Sequence, residues 1–254
     1  MPTNLLAVTV HFIGAGPGAA DLLTLRAVEF LRTSPVCVYA GTYIDDAVLA
    51  HCAPGTRLVD TAKLDLDAIT AELVAAHERG DDVARLCSGD PSLYSALAEQ
   101  SARLDSAGVP WDVTPGVPAY VAAAASLGVE LTVPEVTQSV VLTRAQARST
   151  AMPDTEALKN FAATRATLAL HLGITRTRII ADELTEFYGP DCPAVVVFHA
   201  SKPDELILRG TLADIADQVE AEGLRQAAVI LVGPALSRRI AVESHLYDAC
   251  RDRS

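Results

Sequence analysis

The sequence predicts an α/β fold built as two α/β domains, and three observations predict it. Short apolar runs alternate with amphipathic stretches of helical period in the first half of the chain. Half of the 254 residues are hydrophobic, which is enough to bury a core in each of two domains. The pattern then changes at Pro115-Gly116, where an Ala-rich stretch precedes runs with more β-branched residues. We therefore predict an N-terminal domain at 1–116, a C-terminal domain at 117–237 and a tail at 238–254.

The first domain is predicted to contain five strands connected by helices. The predicted strands are 8–13, 36–39, 57–59, 82–87 and 111–114, and the predicted helices are 22–33, 45–51, 67–79 and 92–106. This βαβ order predicts a mostly parallel, buried sheet with helices on both faces. We expect Asp90 to be the N-cap of the fourth helix with Pro91 at its first position, and Gly80 and Gly108 to follow helix ends.

The second domain is predicted to begin with a helix at 119–126 and a strand-rich region at 131–143. Further strands are predicted at 167–172, 194–200, 206–209 and 227–232, with helices at 175–186 and 211–221. The polar segment 148–160 contains Pro153 and is expected to be a surface loop that leads into a helix.

Charge and cysteine content exclude several classes of function. The formal net charge of -12 argues against nucleic acid and against an anionic membrane surface, since both need a basic face. The five cysteines include no Cys-x-x-Cys pair, and the histidines show no ligand spacing, so we expect a reduced, cytoplasmic and metal-free protein. No run is long and apolar enough for a membrane span, and no secretion signal is expected.

Three turns with few side chains are the most informative motifs. They are Gly14-Ala15-Gly16-Pro17-Gly18, Ser88-Gly89-Asp90-Pro91 and Pro115-Gly116, and each follows an apolar strand. Because the carboxyl ends of parallel strands meet at one edge of a sheet, these turns predict a crevice where backbone approaches a small molecule closely.

The first turn also matches the dinucleotide pattern G-x-G-x-x-G/A, although poorly. Pro17 lacks the backbone N–H that a pyrophosphate would need, and the second strand ends in Tyr39-Ala40-Gly41 without an acidic residue for a ribose. An NAD(P)-dependent oxidoreductase is therefore the less favoured alternative.

Taken together, the motifs resemble the tetrapyrrole (precorrin) methylase family of S-adenosylmethionine-dependent enzymes. The three turns carry the resemblance, with Leu23-Thr24-Leu25 after the first and Tyr94 after the second, and it spans residues 8–235. It implies two α/β domains of the tetrapyrrole methylase type, a cofactor cleft between them, and a homodimer.

Residue by residue, the resemblance implies a set of cofactor contacts. They are Pro17, Ser88, Gly89, Asp90, Leu93, Pro118, Ala119, Leu172 and Ala200. Pro118 stands where the family usually has Thr or Ser, and Leu172 where it often has Met. These two contacts are therefore expected to be backbone or apolar only.

Within the family, Tyr39-Ala40-Gly41-Thr42, Leu142-Thr143-Arg144 and Leu170-His171-Leu172 are similar to the branch that methylates precorrin-4 at C-11 to give precorrin-5 in cobalamin biosynthesis. The resemblance implies a tetrapyrrole substrate contacted by Tyr39, Thr143 and Arg144. Siroheme-forming relatives carry Asp where this chain has Ala40, so the catalytic residue stays unassigned. Another precorrin or cobalt-precorrin methylase, and the presence of cobalt in the substrate, remain open.

Overall fold

The computed structural model describes residues 8–145 and 151–237. The first residues of the predicted surface loop, 148–150, and the predicted tail at 238–254 lie outside the described residues. Contacts divide the chain into two compact units, with the division between Ala119 and Tyr120. None of the described helices is long and apolar enough to cross a membrane.

In its described residues, the first unit contains a five-stranded sheet in which every strand pair is parallel. Its order is β3-β2-β4-β1-β5. The elements are β1 (Val10–Gly14), α1 (Leu25–Thr33), β2 (Val36–Tyr39), α2 (Asp46–Leu49), β3 (Arg57–Asp60), α3 (Leu66–Glu78), β4 (Val83–Cys87), α4 (Leu97–Ser106) and β5 (Trp111–Thr114). The predicted parallel sheet is confirmed.

The two faces of this sheet bury separate cores, because successive residues of a strand point to opposite faces. Phe12 of β1 belongs to the core under α3 and α4, with Leu73 and Leu104. Ile13 belongs to the core under α1 and α2, with Leu31. The predicted placement of helices on both faces is therefore confirmed.

The predicted start of the fourth helix is wrong. Helix α4 begins at Leu97, after Ala96 with a left-handed φ of 56°, so Asp90 is not its N-cap. The Asp90 carboxylate instead accepts hydrogen bonds from the backbone N–H groups of Ser92 and Gly116, both at 2.8 Å. The predicted helix ends at Gly80 and Gly108 are confirmed, since these residues follow the C-caps of α3 and α4 with φ of +84° and +69°.

The second unit is a mixed sheet of order β6-β7-β10-β8-β9. Among the described strands of this unit, only β6 and β7 are parallel, and the other three pairs are antiparallel. The elements are α5 (Ala119–Leu127), β6 (Val140–Arg144), α6 (Leu158–Ala162), β7 (Thr167–His171), α7 (Thr177–Tyr188), β8 (Pro193–Phe198), β9 (Leu206–Thr211), α8 (Ile215–Glu222) and β10 (Ala228–Val232).

The strand-rich region predicted at 131–143 is only partly correct. Strand β6 covers its end, whereas the preceding residues turn back on themselves through an isolated bridge between Val133 and Thr137. Pro134 supplies no N–H for a ladder, and Glu135 has a φ of 59°, outside the range of regular strand backbone. This segment is therefore a turn.

Helix α7 gives a matched test of packing in the second unit. Ile180 is 3% exposed within the core and its neighbour Ile179 is 55% exposed. We expect Ile180→Val to lower the free energy of unfolding by about 1 kcal/mol and Ile179→Val by less than about 0.5 kcal/mol. Both changes keep a β-branched residue, so helix propensity stays similar. Urea unfolding followed by circular dichroism measures both, and equal losses would contradict this packing.

Candidate active site

The three glycine-containing turns lie together in the first unit, because they follow the adjacent strands β4, β1 and β5. Gly16 and Gly89 exchange two backbone hydrogen bonds, of 3.1 and 2.8 Å. The carboxylate of Asp90 joins the third turn by accepting from the Gly116 N–H at 2.8 Å. We call this arrangement of 14–18, 88–91 and 115–116 the turn cluster.

Close packing of the backbone explains why positions 14 and 116 of the turn cluster are glycine. A Cβ on Gly116 would lie 2.2 Å from the Gly89 carbonyl oxygen and 2.7 Å from the Gly14 Cα, and a Cβ on Gly14 would lie 2.4 Å from the Gly116 nitrogen. Gly16 and Gly89 differ, because their φ angles of +73° and +67° are left-handed. Glycine at 14 and 116 is thus required by the fold itself, before any ligand is considered.

The residues predicted to contact the cofactor in the first unit lie around this cluster. Ser88 is exposed, whereas Pro17, Leu93, Pro118 and Ala119 are half-buried. Pro118 and Ala119 lie beside the second turn, since a Cβ on Gly89 would be 3.5 Å from the Pro118 Cα and 3.8 Å from the Ala119 nitrogen.

Asp90 is the acidic group of the cluster. Burial alone would raise the pKa of Asp90, but the hydrogen bonds donated by Ser92 and Gly116 outweigh burial and hold this pKa below its usual value. The carboxylate is therefore ionised at neutral pH and remains an acceptor.

In the second unit, the sheet topology places the predicted cofactor and substrate contacts of this unit at the same end of the sheet. Strands β6, β7 and β8 run in the same direction, because β10 is antiparallel to both β7 and β8. Their carboxyl ends lead to Arg144, Leu172 and Ala200. Thr143 and Ala200 are buried, while Leu172 is 61% exposed.

Left-handed backbone is concentrated next to the predicted cofactor contacts. Eight described residues other than glycine have positive φ, and five of them are Tyr94, Ala96, Leu172, His199 and Ser201. Such conformations cost about 1–3 kcal/mol each and cluster at functional sites. Two of these residues belong to the segment Tyr94–Ala96, which follows Leu93 and which we call the left-handed turn. His199 and Ser201 lie on either side of Ala200.

A carboxylate that the sequence did not reveal holds the loop around Ala200. Glu205 accepts from the Ser201 N–H at 2.6 Å and from the Ser126 hydroxyl at 2.8 Å. The neighbouring His199 imidazole bonds to Asp204, with Nδ1 and Oδ2 2.7 Å apart. Ser126 lies on α5, far from Glu205 in sequence, so no local pattern could have identified this contact.

Tyr39 ends strand β2 and is held by the loop that follows β3. Thr61 donates to the Tyr39 carbonyl oxygen from its N–H at 2.7 Å and from its hydroxyl at 3.1 Å. Burial, together with the carboxylate of Asp60, raises the pKa of Tyr39, so its phenol is protonated at neutral pH. Asp60 also accepts from the Gly41 N–H at 2.8 Å, a second contact that sequence reasoning missed.

Arg144 supplies a guanidinium at the edge of the second sheet. Its Nη2 donates to the Ala151 carbonyl oxygen at 3.4 Å, and it is opposite His171 in the β6–β7 register. Burial lowers the pKa of His171 to about 4, so His171 is neutral at pH 7. Arg144 therefore does not face a second positive charge from this neighbour.

Comparison with known proteins identifies the family. The profile for Tetrapyrrole (Corrin/Porphyrin) Methylases matches residues 9–216 of the chain. The chain belongs to this family. A precorrin-4 C(11)-methyltransferase from Rhodococcus erythropolis is 57% identical over 97% of this chain and 99% of that protein.

Two solved methyltransferases have the same fold as this chain. A cobalt precorrin-4 methyltransferase from cobalamin biosynthesis superposes with a TM-score of 0.88, at 36% identity, covering 91% of this chain and 97% of that one. A uroporphyrin-III C-methyltransferase from Thermus thermophilus, solved with S-adenosylhomocysteine, gives a TM-score of 0.72 at 30% identity, covering 90% of this chain and 93% of that one. The methylase fold predicted by resemblance is confirmed.

Proposed function

We propose that this chain is an S-adenosylmethionine-dependent methyltransferase that methylates precorrin-4 at C-11 to give precorrin-5 in cobalamin biosynthesis. The observation that carries the proposal is the 57% identity, over almost the full length of both chains, to a precorrin-4 C(11)-methyltransferase. Family membership does not favour the oxidoreductase alternative. Metal-free precorrin-4 is the proposed substrate, because this relative is named without cobalt and is more similar than the solved cobalt precorrin-4 methyltransferase at 36% identity.

The hydrogen-bond acceptors of the turn cluster fit S-adenosylmethionine. This ligand has hydroxyl and ammonium groups that need acceptors, and the cluster offers the exposed residue Ser88 and the ionised Asp90 carboxylate. We propose that Pro17, Ser88, Gly89, Asp90, Leu93, Pro118 and Ala119 hold the cofactor in the first unit, and that Leu172 and Ala200 contact it in the second.

The chain contributes position and low polarity to methyl transfer. When bound, S-adenosylmethionine supplies an electrophilic methyl group on a positively charged sulfur. Pro17, Gly89, Leu93 and Leu172 present backbone and apolar groups, which suit a reaction that disperses charge in the transition state. By holding the cofactor against the tetrapyrrole, these residues would convert the reaction into an effectively unimolecular step. The nucleophilic pyrrole carbon needs no activated side chain, so we assign no catalytic base.

Tyr39, Thr143 and Arg144 are proposed to contact the tetrapyrrole, and Arg144 to bind one of its carboxylates. We expect Arg144→Ala to raise the KM for precorrin-4 roughly tenfold, because one charge-assisted hydrogen bond to the substrate is lost. The Kd of S-adenosylhomocysteine should stay unchanged. The matched control is Arg209→Ala on β9, whose side chain is exposed and which should leave both constants unchanged. Steady-state kinetics and calorimetry measure them, and equal losses for the two ligands in Arg144→Ala would remove Arg144 from the substrate site.

The function is tested by incubating the pure protein with methyl-labelled S-adenosylmethionine and tetrapyrrole substrates. We expect label to enter precorrin-4, with the new methyl group assigned to C-11 by mass spectrometry and NMR. A parallel incubation with cobalt-precorrin-4 determines the metal state of the substrate, and an NADH fluorescence titration tests the oxidoreductase alternative. Absence of label from both forms of precorrin-4 would refute the proposal.

We also propose that the enzyme is a cytoplasmic homodimer. The free thiols of Cys37, Cys52, Cys87 and Cys192 in the described residues support a reducing compartment. The dimer is an expectation from the family resemblance, and light scattering of the purified protein tests it directly.

A further inference from the structure

A buried arginine of the first unit is bonded to neutral groups. Arg85 lies in β4 and is 7% exposed. Its Nε donates to the Gln100 side-chain oxygen at 2.9 Å, and its Nη1 contacts the carbonyl oxygens of Val38 and Leu86 at 3.4 and 3.3 Å. Over the described ranges, none of the hydrogen-bond acceptors of Arg85 is a carboxylate.

Gln100 connects this arginine to the left-handed turn. It is 1% exposed on α4, and its side-chain Nε2 donates to the carbonyl oxygens of Ser95 and Ala96 at 3.2 and 3.1 Å. The partners determine the orientation of the amide, because Arg85 can only donate and the two carbonyls can only accept. A glutamate could accept from Arg85 but, as a carboxylate, could not donate to either carbonyl.

The left-handed turn has a clear alternative conformation. Pro91 is a favourable first residue for a helix and Asp90 a favourable N-cap, so the segment 91–96 has the local pattern of an N-terminal extension of α4. In the structure, Tyr94 and Ala96 instead have φ of 53° and 56°, and Asp90 accepts from Gly116 at 2.8 Å rather than capping α4.

We propose that Arg85 and Gln100 are positioning residues that hold the segment 91–96 out of helix α4 and so keep Asp90 and Leu93 in the geometry that binds the cofactor. The proposal rests on the proposed function, because it assigns these cofactor contacts to S-adenosylmethionine. Gln100 acts through the two carbonyls of the left-handed turn, and Arg85 acts by orienting the Gln100 amide. The residues are distinct from the cofactor contacts themselves.

Gln100→Glu separates this role from a simple contribution to stability. The new carboxylate would pair with Arg85, so stability should be preserved, whereas both donors to the left-handed turn are lost. We expect the Kd of S-adenosylhomocysteine and the KM for S-adenosylmethionine to rise roughly tenfold or more, with kcat at saturating cofactor and the urea midpoint little changed. Ala98→Glu, at an exposed position of α4, adds the same charge and should change none of these quantities.

A second substitution provides the rescue. Glycine adopts left-handed backbone without a steric penalty, so Ala96→Gly in the Gln100→Glu background should restore most of the affinity. If Gln100→Glu does not fold, Gln100→Met tests the affinity alone: it also lacks the donors and keeps a similar length, but it removes the acceptor of the Arg85 Nε–H, so a lower urea midpoint is expected with it. Wild-type affinity in Gln100→Glu, or a loss that Ala96→Gly does not reverse, would overturn the proposal. Failure of the wild-type protein to bind S-adenosylhomocysteine would instead refute the proposed function.

Discussion

Replacing Gly116 with alanine is expected to disrupt the turn cluster and abolish cofactor binding. The new Cβ would lie 2.2 Å from the Gly89 carbonyl oxygen and 2.7 Å from the Gly14 Cα. Both neighbours are backbone, so no change of rotamer can relieve the contact. We expect the free energy of unfolding to fall by more than about 4 kcal/mol, at the upper end of overpacking effects. Urea unfolding and calorimetry with S-adenosylhomocysteine measure the two losses.

Gly108→Ala is the control for this substitution. A Cβ at Gly108 would meet nothing within 4 Å, but the residue has a φ of +69°. Alanine there should cost only about 1 kcal/mol for the left-handed conformation, and cofactor affinity should stay unchanged. A Gly116→Ala protein as stable as Gly108→Ala would show that the three turns do not pack as described.

Replacing Asp90 with alanine is expected to weaken S-adenosylhomocysteine binding about 100-fold, because removal of a hydrogen-bonded charged group costs about 1.5–3 kcal/mol. The change removes the carboxylate that accepts from the Ser92 and Gly116 N–H groups. We propose that the same carboxylate contacts the cofactor. Calorimetry at pH 7 measures the affinity, and Asp90→Asn should have a smaller effect because its side-chain oxygen can still accept one of the bonds. Unchanged affinity in Asp90→Ala would remove Asp90 from the proposed site.

The same carboxylate gives an expected pH dependence. The pKa of Asp90 in the folded protein lies below its ordinary value of 3.8. Its contribution to stability is therefore fully present above the ordinary pKa and is lost as the pH falls through the folded pKa. Wild-type protein should lose stability below about pH 4 more steeply than Asp90→Asn does. Parallel acid titrations of the urea midpoint test this, and curves of the same steepness would contradict it.

Local patterns predicted most strands of the fold, because burial of a parallel strand leaves an apolar run that any short window detects. Strands β2 and β5 begin and end at the predicted residues. The start of α4 could not be predicted, since Asp90-Pro91 is a good local helix start and its true partner, Gly116, lies 26 residues away. Pro134 was a signal against a strand in the segment before β6, because proline cannot donate a hydrogen bond to a neighbouring strand.

The part of the candidate site that is formed by backbone turns was predictable from the sequence. The glycine-containing turns were recognisable from the sequence, and their adjacency followed from the parallel order of the strands. Leu172 and Ala200 depended on family resemblance, because a single apolar residue after a strand has no signature of its own. The supporting contacts of Asp60, Gln100 and Glu205 were missed, since each depends on partners that only the folded chain brings near.

The parallel sheet of the first unit also has a consequence for how the enzyme is made. Strand β1 pairs with β4 and β5, which are distant from it in sequence. The hydrogen bond between Thr9 and Asp82 next to the β1–β4 pair spans 73 residues, and the one between His11 and Asp112 in the β1–β5 pair spans 101 residues. Contacts between such distant segments form slowly, because the intervening chain must be closed into a loop. A nascent chain still lacking β5 therefore has no Gly116 to complete the turn cluster, so the cofactor site that we propose there can form only after this strand has left the ribosome and joined the sheet.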